Sequence, residues 1–297
     1  MGPTNRDPRY GVSGKIHVVL RQQCRAYSIE DPPPPERVKP IPLQLVRHAV
    51  NTLQSDELSR AMADLIIIGL FFLLRPGEYC YNKDGDNSPF RMQDVSFDVA
   101  GVQTNASVIP IVSLDAAALV LLRFTNQKNG IRDEDIFHGP TTDPLICPRK
   151  AVARRIQHLR NNNAPPDTPL HTVFIDGSAV NVSSQSLTKA LREALTTIGE
   201  DLNIAPNEIN ARALRAGGAM ALFRANVDPE NIQLVGRWRS WAMREYLHRS
   251  ATDTSSYAQM ILNFGNFTIQ RLAPYPLPQD ALAVIQPYVE ANPEPAS

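Results

Sequence analysis

Residues 210–248 read NARALRAGGAMALFRANVDPENIQLVGRWRSWAMREYLH, and the placing of arginine, glycine and tyrosine within them sets the reading of the rest of the chain. Arg212 and Arg215 stand three apart, so in a helix they share one face. Gly217 and Gly218 follow within the next turn. Two glycines inside a helix cost about 1 kcal/mol each relative to alanine, which makes sense where another backbone or a ligand must come close. The whole chain is charge-balanced, with 30 basic and 30 acidic residues in 297, so composition alone announces no partner. Residues 210–250 differ: seven arginines face three acids, net +4, with no lysine. An all-arginine cationic patch suits planar, two-pronged recognition of phosphate better than it suits general solubility.

Outward toward the C-terminus, Tyr246 lies ten residues after Gly236, among Arg237, Arg239 and Arg244. A free phenol has a pKa near ~10 and is a poor nucleophile at neutral pH. Cations beside it would stabilise both phenolate and a charged transition state. Outward toward the N-terminus, LLRPGEY (residues 73–79) ends an apolar run, LIIIGLFFLL at 65–74. Arg75 would be carried by a core helix and released where Pro-Gly turns the backbone, a placement suited to a fixed anion ligand. A helix-terminal arginine answering the macrodipole is the plainer reading. Glu78 could orient its guanidinium.

Helices are expected at Val12–Ser28, Pro42–Leu53, Asp56–Arg75 with Ser55 as N-cap, Cys147–Asn161, Ser184–Leu202, Asn210–Arg224, Asp228–Val235, Trp241–His248 and Ser255–Arg271. Strands are expected at Phe90–Val99, Ala117–Thr125 and Asp135–His138, with Asn129-Gly130 as a turn. DPPPPE (31–36) cannot continue a helix and marks a boundary. The expected organisation is an N-terminal helix and linker over 1–35, one large domain over 36–272, and a Pro-rich tail over 273–297. The fold class is α+β, mostly helical, with a small antiparallel sheet. No GxGxxG or GxxxxGK[ST] sequence occurs, which argues against a nucleotide-binding α/β architecture. Cys24, Cys80 and Cys147 form no CxxC pair, and neither a signal segment nor a run of ~20 apolar residues is present. An intracellular protein, nuclear if eukaryotic, with no membrane association is expected.

The order LLRPGEY, FTNQKNG (124–130), RALRAGGA and GRWRSWAMREY resembles the tyrosine recombinases, or phage-type integrases, with the flavour of Crypton-like and DIRS-type mobile elements. The resemblance spans about Pro40 to Arg271. It implies the family's catalytic-domain fold and cutting and rejoining of double-stranded DNA through a 3′-phosphotyrosyl intermediate, without metal, nucleotide or other cofactor. By residue it implies Arg75 and Arg215 as the two catalytic arginines, Glu78 as companion acid, Lys128 as general acid toward the 5′ oxygen, and Tyr246 as nucleophile. Arg212 and Arg237 complete the implied catalytic set, Arg212 standing where histidine or lysine is usual and Arg237 where histidine or tryptophan is usual. Trp238, one residue further on, is the aromatic offered in its place. Arg239 and Arg244 would contact DNA, and helix Ser255–Arg271 would mediate self-association on DNA. His138, His171 and His248 have no part in this scheme. Two other readings stay open. One is a recombinase-derived DNA-binding protein with impaired chemistry, and the other is a helical interaction module that binds no DNA.

Overall fold

In the computed structural model the described residues are 39–82, 89–125, 134–202 and 204–238. The expected segments 1–35 and 273–297, the helices Val12–Ser28, Trp241–His248 and Ser255–Arg271, and the Asn129-Gly130 turn lie outside them. The elements in chain order are α1 (Leu43–Thr52), α2 (Glu57–Phe71), the one-turn α3 (Pro76–Tyr79), β1 (Val95–Val99), β2 (Val102–Asn105), β3 (Leu119–Phe124) and β4 (Glu134–His138). They continue with α4 (Pro148–Asn161), β5 (Thr172–Ile175), β6 (Ser178–Asn181), α5 (Ser184–Leu202), α6 (Ala213–Arg224) and α7 (Pro229–Val235). The class is α+β and mostly helical, with a small antiparallel sheet. Among the described residues no helix is long and apolar enough to cross a membrane.

The central element is α2. Residues Leu65 to Ile68 are fully buried, so the helix is covered on all sides rather than along one stripe, and each such side chain contributes about 1.5–3 kcal/mol of transfer free energy. α1, α4 and α6 pack around it. Its start is capped by Asp56, whose carboxylate accepts the Ser59 N–H at 2.9 Å. The expected cap, Ser55, instead donates its hydroxyl to the Asp56 carboxylate at 2.7 Å. A carboxylate at the helix N-terminus adds charge–dipole attraction that a hydroxyl lacks. The helix also ends earlier than Arg75. Phe72 closes it, Leu73 takes a left-handed φ of 49°, and Leu74 N–H donates back to Gly69 carbonyl at 3.1 Å. This six-to-one closure turns the chain so that Arg75 opens a new short helix, α3.

The four-stranded sheet has order β2-β1-β3-β4, all antiparallel, with Phe97 opposite Val120 and Leu122 opposite Ile136 on its core face. Of the strand expected at Phe90–Val99, only Val95–Val99 is strand. Met92–Asp94 form a 3₁₀ turn, and Phe90 pairs through its backbone with Glu78 and Leu170 instead. Two hairpins escaped the sequence reading. β1–β2 turns on Ala100-Gly101 and β5–β6 on Asp176-Gly177, all four residues having positive φ. Asp-Gly between apolar residues is a strong hairpin signal, and it was legible at 176–177.

Helix α6 begins at Ala213, not Asn210. Asn210 turns the chain beforehand, its side-chain oxygen accepting Arg212 N–H at 2.9 Å. Gly217 and Gly218 sit where α6 presses on other backbone. A methyl group on Gly217 would collide with the Ile41 carbonyl, and one on Gly218 with the Leu70 carbonyl and the Leu73 side chain. The close approach expected of these glycines is real, and its partner is protein. It pins the start of α6 against the end of α2.

Candidate functional site

That packing brings two arginine-bearing segments together. Leu74, Arg75, Pro76 and Gly77 from the α2–α3 junction, Ser184 and Thr188 from α5, and Asn210, Ala211, Arg212 and Arg215 from the start of α6 line one cleft of about 710 Å³, completed by Tyr81 and Asn82. Among the described residues that line it, three are arginines and none is acidic, so this surface favours anions.

Each arginine is held differently. Arg75 is partly exposed, and Glu78 grips it twice, accepting the backbone N–H at 2.7 Å and the Nη1 proton at 3.1 Å. Pro76 at the first helical position keeps that turn rigid. Arg212 is exposed at the N-terminus of α6. Arg215 is buried, donates to the Gly236 carbonyl, and lies flat over the Trp238 ring with 4.3 Å from its central carbon to the ring centroid. Gly236 has no substitute here, because any Cβ would run into the Trp238 indole.

Arg237 is the exception. Its side chain is 0% exposed, and it does not reach the cleft lining. Its guanidinium donates to the carbonyls of Phe72, Leu73 and Val235 at 3.1–3.3 Å and to Glu78 Oε2 at 3.2 Å, and stacks 3.9 Å over the Phe124 ring. Burial pushes its pKa down from the usual arginine value, while Glu78 pulls it back up.

Two further groups set the geometry and were not singled out from sequence. Tyr79 is buried against Gly69, which could carry no side chain beneath the ring, and its hydroxyl donates to the Ala211 carbonyl at 3.3 Å. Thr188 accepts Ala211 N–H at 3.1 Å. Both tie the residue before Arg212 to the rest of the site, and neither offers a signal without knowledge of the packing. His138 and His171 are packed into the fold, while His248 lies outside the described residues. His138 lies 2.8 Å from the Phe71 carbonyl, edge-on to Phe72, and burial lowers its pKa. His171 is buried beside Tyr81 with its pKa pushed down to about 4, chiefly by desolvation.

Lys128, Arg239, Arg244 and Tyr246 lie outside the described residues. The strands flanking Lys128 are paired antiparallel with Phe124 opposite Glu134, and Phe124 is the residue whose ring underlies Arg237. Among the described residues no group of three His, Cys, Asp or Glu side chains could hold a metal ion.

No protein-family model and no curated protein sequence matches the chain. Solved structures do resemble it. The Tn1549 transposon integrase in complex with transposon right-end DNA is 13% identical, over 81% of this chain and 70% of that one, with a TM-score of 0.44. XerA recombinase is 13% identical, over 88% and 78%, with a TM-score of 0.45. XerH site-specific recombinase bound to its difH substrate in a pre-cleavage complex is 11% identical, over 84% and 67%, with a TM-score of 0.47. The solved structures that this chain resembles are thus recombinases and integrases.

Proposed function

We propose that the chain is a DNA recombinase of the tyrosine type, cutting and rejoining duplex DNA through a covalent link to Tyr246. The observation that carries the reading is the convergence of Arg75 with Arg212 and Arg215, distant in sequence, on one cleft whose described lining residues include no acid. Their order along the chain, with Lys128 between and Tyr246 after, adds to it. In this reading the Tyr246 phenol oxygen attacks a backbone phosphorus and the bond to the 5′ oxygen breaks. Lys128 gives the leaving oxygen its proton, and the phenol proton passes to water. The arginines hold the non-bridging oxygens and offset the charge that develops on them. One phosphate ester replaces another, so the step reverses when a 5′ hydroxyl from another strand attacks the phosphotyrosine.

Arginine stays protonated at accessible pH, so Arg212 can donate hydrogen bonds but cannot relay a proton. Turnover is therefore slow, and general acid catalysis, worth 10²–10⁴-fold, falls to Lys128. The test is adduct formation that survives denaturation, on a pool of nicked duplexes with a randomised central sequence. The parent should form an adduct, Tyr246→Phe none, Lys128→Ala much less, and Arg212→His more than the parent. An adduct from Tyr246→Phe would misassign the nucleophile. A parent that binds the pool and forms none would favour a DNA-binding protein with its chemistry lost, a reading encouraged by the withdrawal of Arg237 from the cleft.

A further inference from the structure

Of the described arginines assigned to the site, Arg75, Arg212, Arg215 and Arg237, Arg237 alone does not line the cleft. The Phe72, Leu73 and Val235 carbonyls, the Glu78 carboxylate and the Phe124 ring surround its guanidinium. Its backbone is left-handed, with φ of 56°, a conformation that is unfavourable for a non-glycine residue and persists only where the surroundings hold it. Phe72 and Leu73 are the residues at which α2 closes and turns toward Arg75, so one side chain binds both the turn that delivers Arg75 and the acid that grips it.

Charge makes the arrangement necessary. Glu78 is 5% exposed, and a carboxylate that deep requires compensation. With Arg75 as sole partner, the pair would be neutral and Arg75 would turn to its acid rather than to the cleft. With Arg237 behind it, these three groups carry a net charge of +1, with Glu134 of β4 also acting electrostatically on Arg237, and the outer member of the chain Arg237–Glu78–Arg75 is the one that lines the cleft.

We propose that Arg237 is a positioning residue: enclosed behind the cleft, it neutralises Glu78 and fixes the α2–α3 turn, so that Arg75, although its Nη1 donates to Glu78, keeps a positive charge to present to a phosphate. The inference deepens the recombinase reading and rests on it for the identity of the anion. The neighbouring residues serve the second arginine from the same tripeptide, since the Gly236 carbonyl accepts from Arg215 and the Trp238 ring lies under it. Residues 236–238 thereby brace two of the cleft's three arginines, Arg75 and Arg215.

The experiment is a cycle of the full chain, Arg237→Met, Glu78→Gln and the double variant, with Arg237→Lys as a folding-safe companion. Two quantities are read. The first is the rate at which phenylglyoxal labels Arg75, mapped by peptide mass spectrometry. The second is affinity for a mixed-sequence duplex oligonucleotide at low salt. Arg237 should resist labelling in the parent. Arg237→Met should slow labelling of Arg75 severalfold and weaken duplex binding by about tenfold, within the range of couplings between residues of one ion-pair network. Adding Glu78→Gln to Arg237→Met should restore most of both, although Glu78→Gln in the parent brings no gain. Arg237→Lys, which keeps the charge, should stay close to the parent. The proposal is overturned if Glu78→Gln changes both readouts by the same factor in either background, if folded Arg237→Lys behaves as Arg237→Met does, or if Arg237 itself labels as fast as Arg75. A parent that binds no duplex would sink the recombinase reading, and the labelling cycle would still decide this one.

Discussion

The arginines of α4 and those of the cleft are the same residue used in opposite ways. On α4, Arg155 is 2% exposed and donates to the carbonyls of Leu170 and Thr172, while Arg149 is 5% exposed and donates to those of Leu114 and Asp115. Each fastens backbone carbonyls outside its own helix, Arg155 those at the entry to β5 and Arg149 those of the connection that leads into β3. At the cleft, Arg75 and Arg212 line open space and Arg215 is braced on an indole. The difference teaches that arginine content does not define a phosphate site. What matters is whether the protein's own carbonyls already fill the guanidinium fork. By that criterion Arg237, although it stands in the arginine-rich segment, belongs with Arg149 and Arg155.

The largest expected effect tests the α4 side. Arg155→Met should remove about 3 kcal/mol of stability, since two buried carbonyls lose a charged donor. Urea unfolding measures it. A loss below about 1 kcal/mol would mean that this fork is dispensable and the comparison misdrawn.

Next comes the acid that accompanies these arginines. Asp64 is 3% exposed, and Arg154 donates to its Oδ1 with Nε at 2.8 Å. Desolvation outweighs that pairing and pushes its pKa up to about 6 from the ordinary 3.8. The folded state then binds the proton more tightly than the unfolded chain does, so this group's contribution is most favourable below about pH 4 and is lost as pH rises through about 6. The shift corresponds to ~3 kcal/mol. Asp64→Asn should remove this dependence and raise the melting temperature at pH 7. An unchanged profile between pH 4 and pH 7 would show that Arg154 compensates the charge in full.

The smallest effect on stability is expected at the cleft itself. Arg212→Ala should unfold within ~0.5 kcal/mol of the parent, being an exposed residue. The slope of log affinity against log salt for duplex DNA should become shallower by about 0.9, one phosphate contact fewer. If stability falls as far as in Arg155→Met while the slope is unmoved, Arg212 belongs to the framework and the cleft loses one of its arginines.

Local chemistry wrote much of this molecule into its sequence. The apolar run at 65–74, the limits of α5 at Ser184 and Leu202, and the spacing that sets Arg212 and Arg215 on one face of α6 all follow from periodicity and caps over a few residues. So does the demand for close approach at Gly217 and Gly218. Other features depend on atoms that the sequence cannot place. The cap of α2 fell to Asp56 because a carboxylate adjoined the expected hydroxyl. β5–β6 had its Asp-Gly signal, but β1–β2 turns on Ala100-Gly101, which is a weaker one. The fate of each arginine was decided furthest from its own neighbourhood. Periodicity fixes an azimuth within one helix, whereas the partner of a guanidinium comes from whatever backbone the fold carries past it. For Arg237 that backbone is Phe72 and Leu73, and for Arg215 the carbonyl of Gly236. The sequence alone therefore determined which residues could make an anion site, and the tertiary structure decided which of them face it, because desolvation and the filling of a hydrogen-bond fork are properties of packed surroundings rather than of residue type.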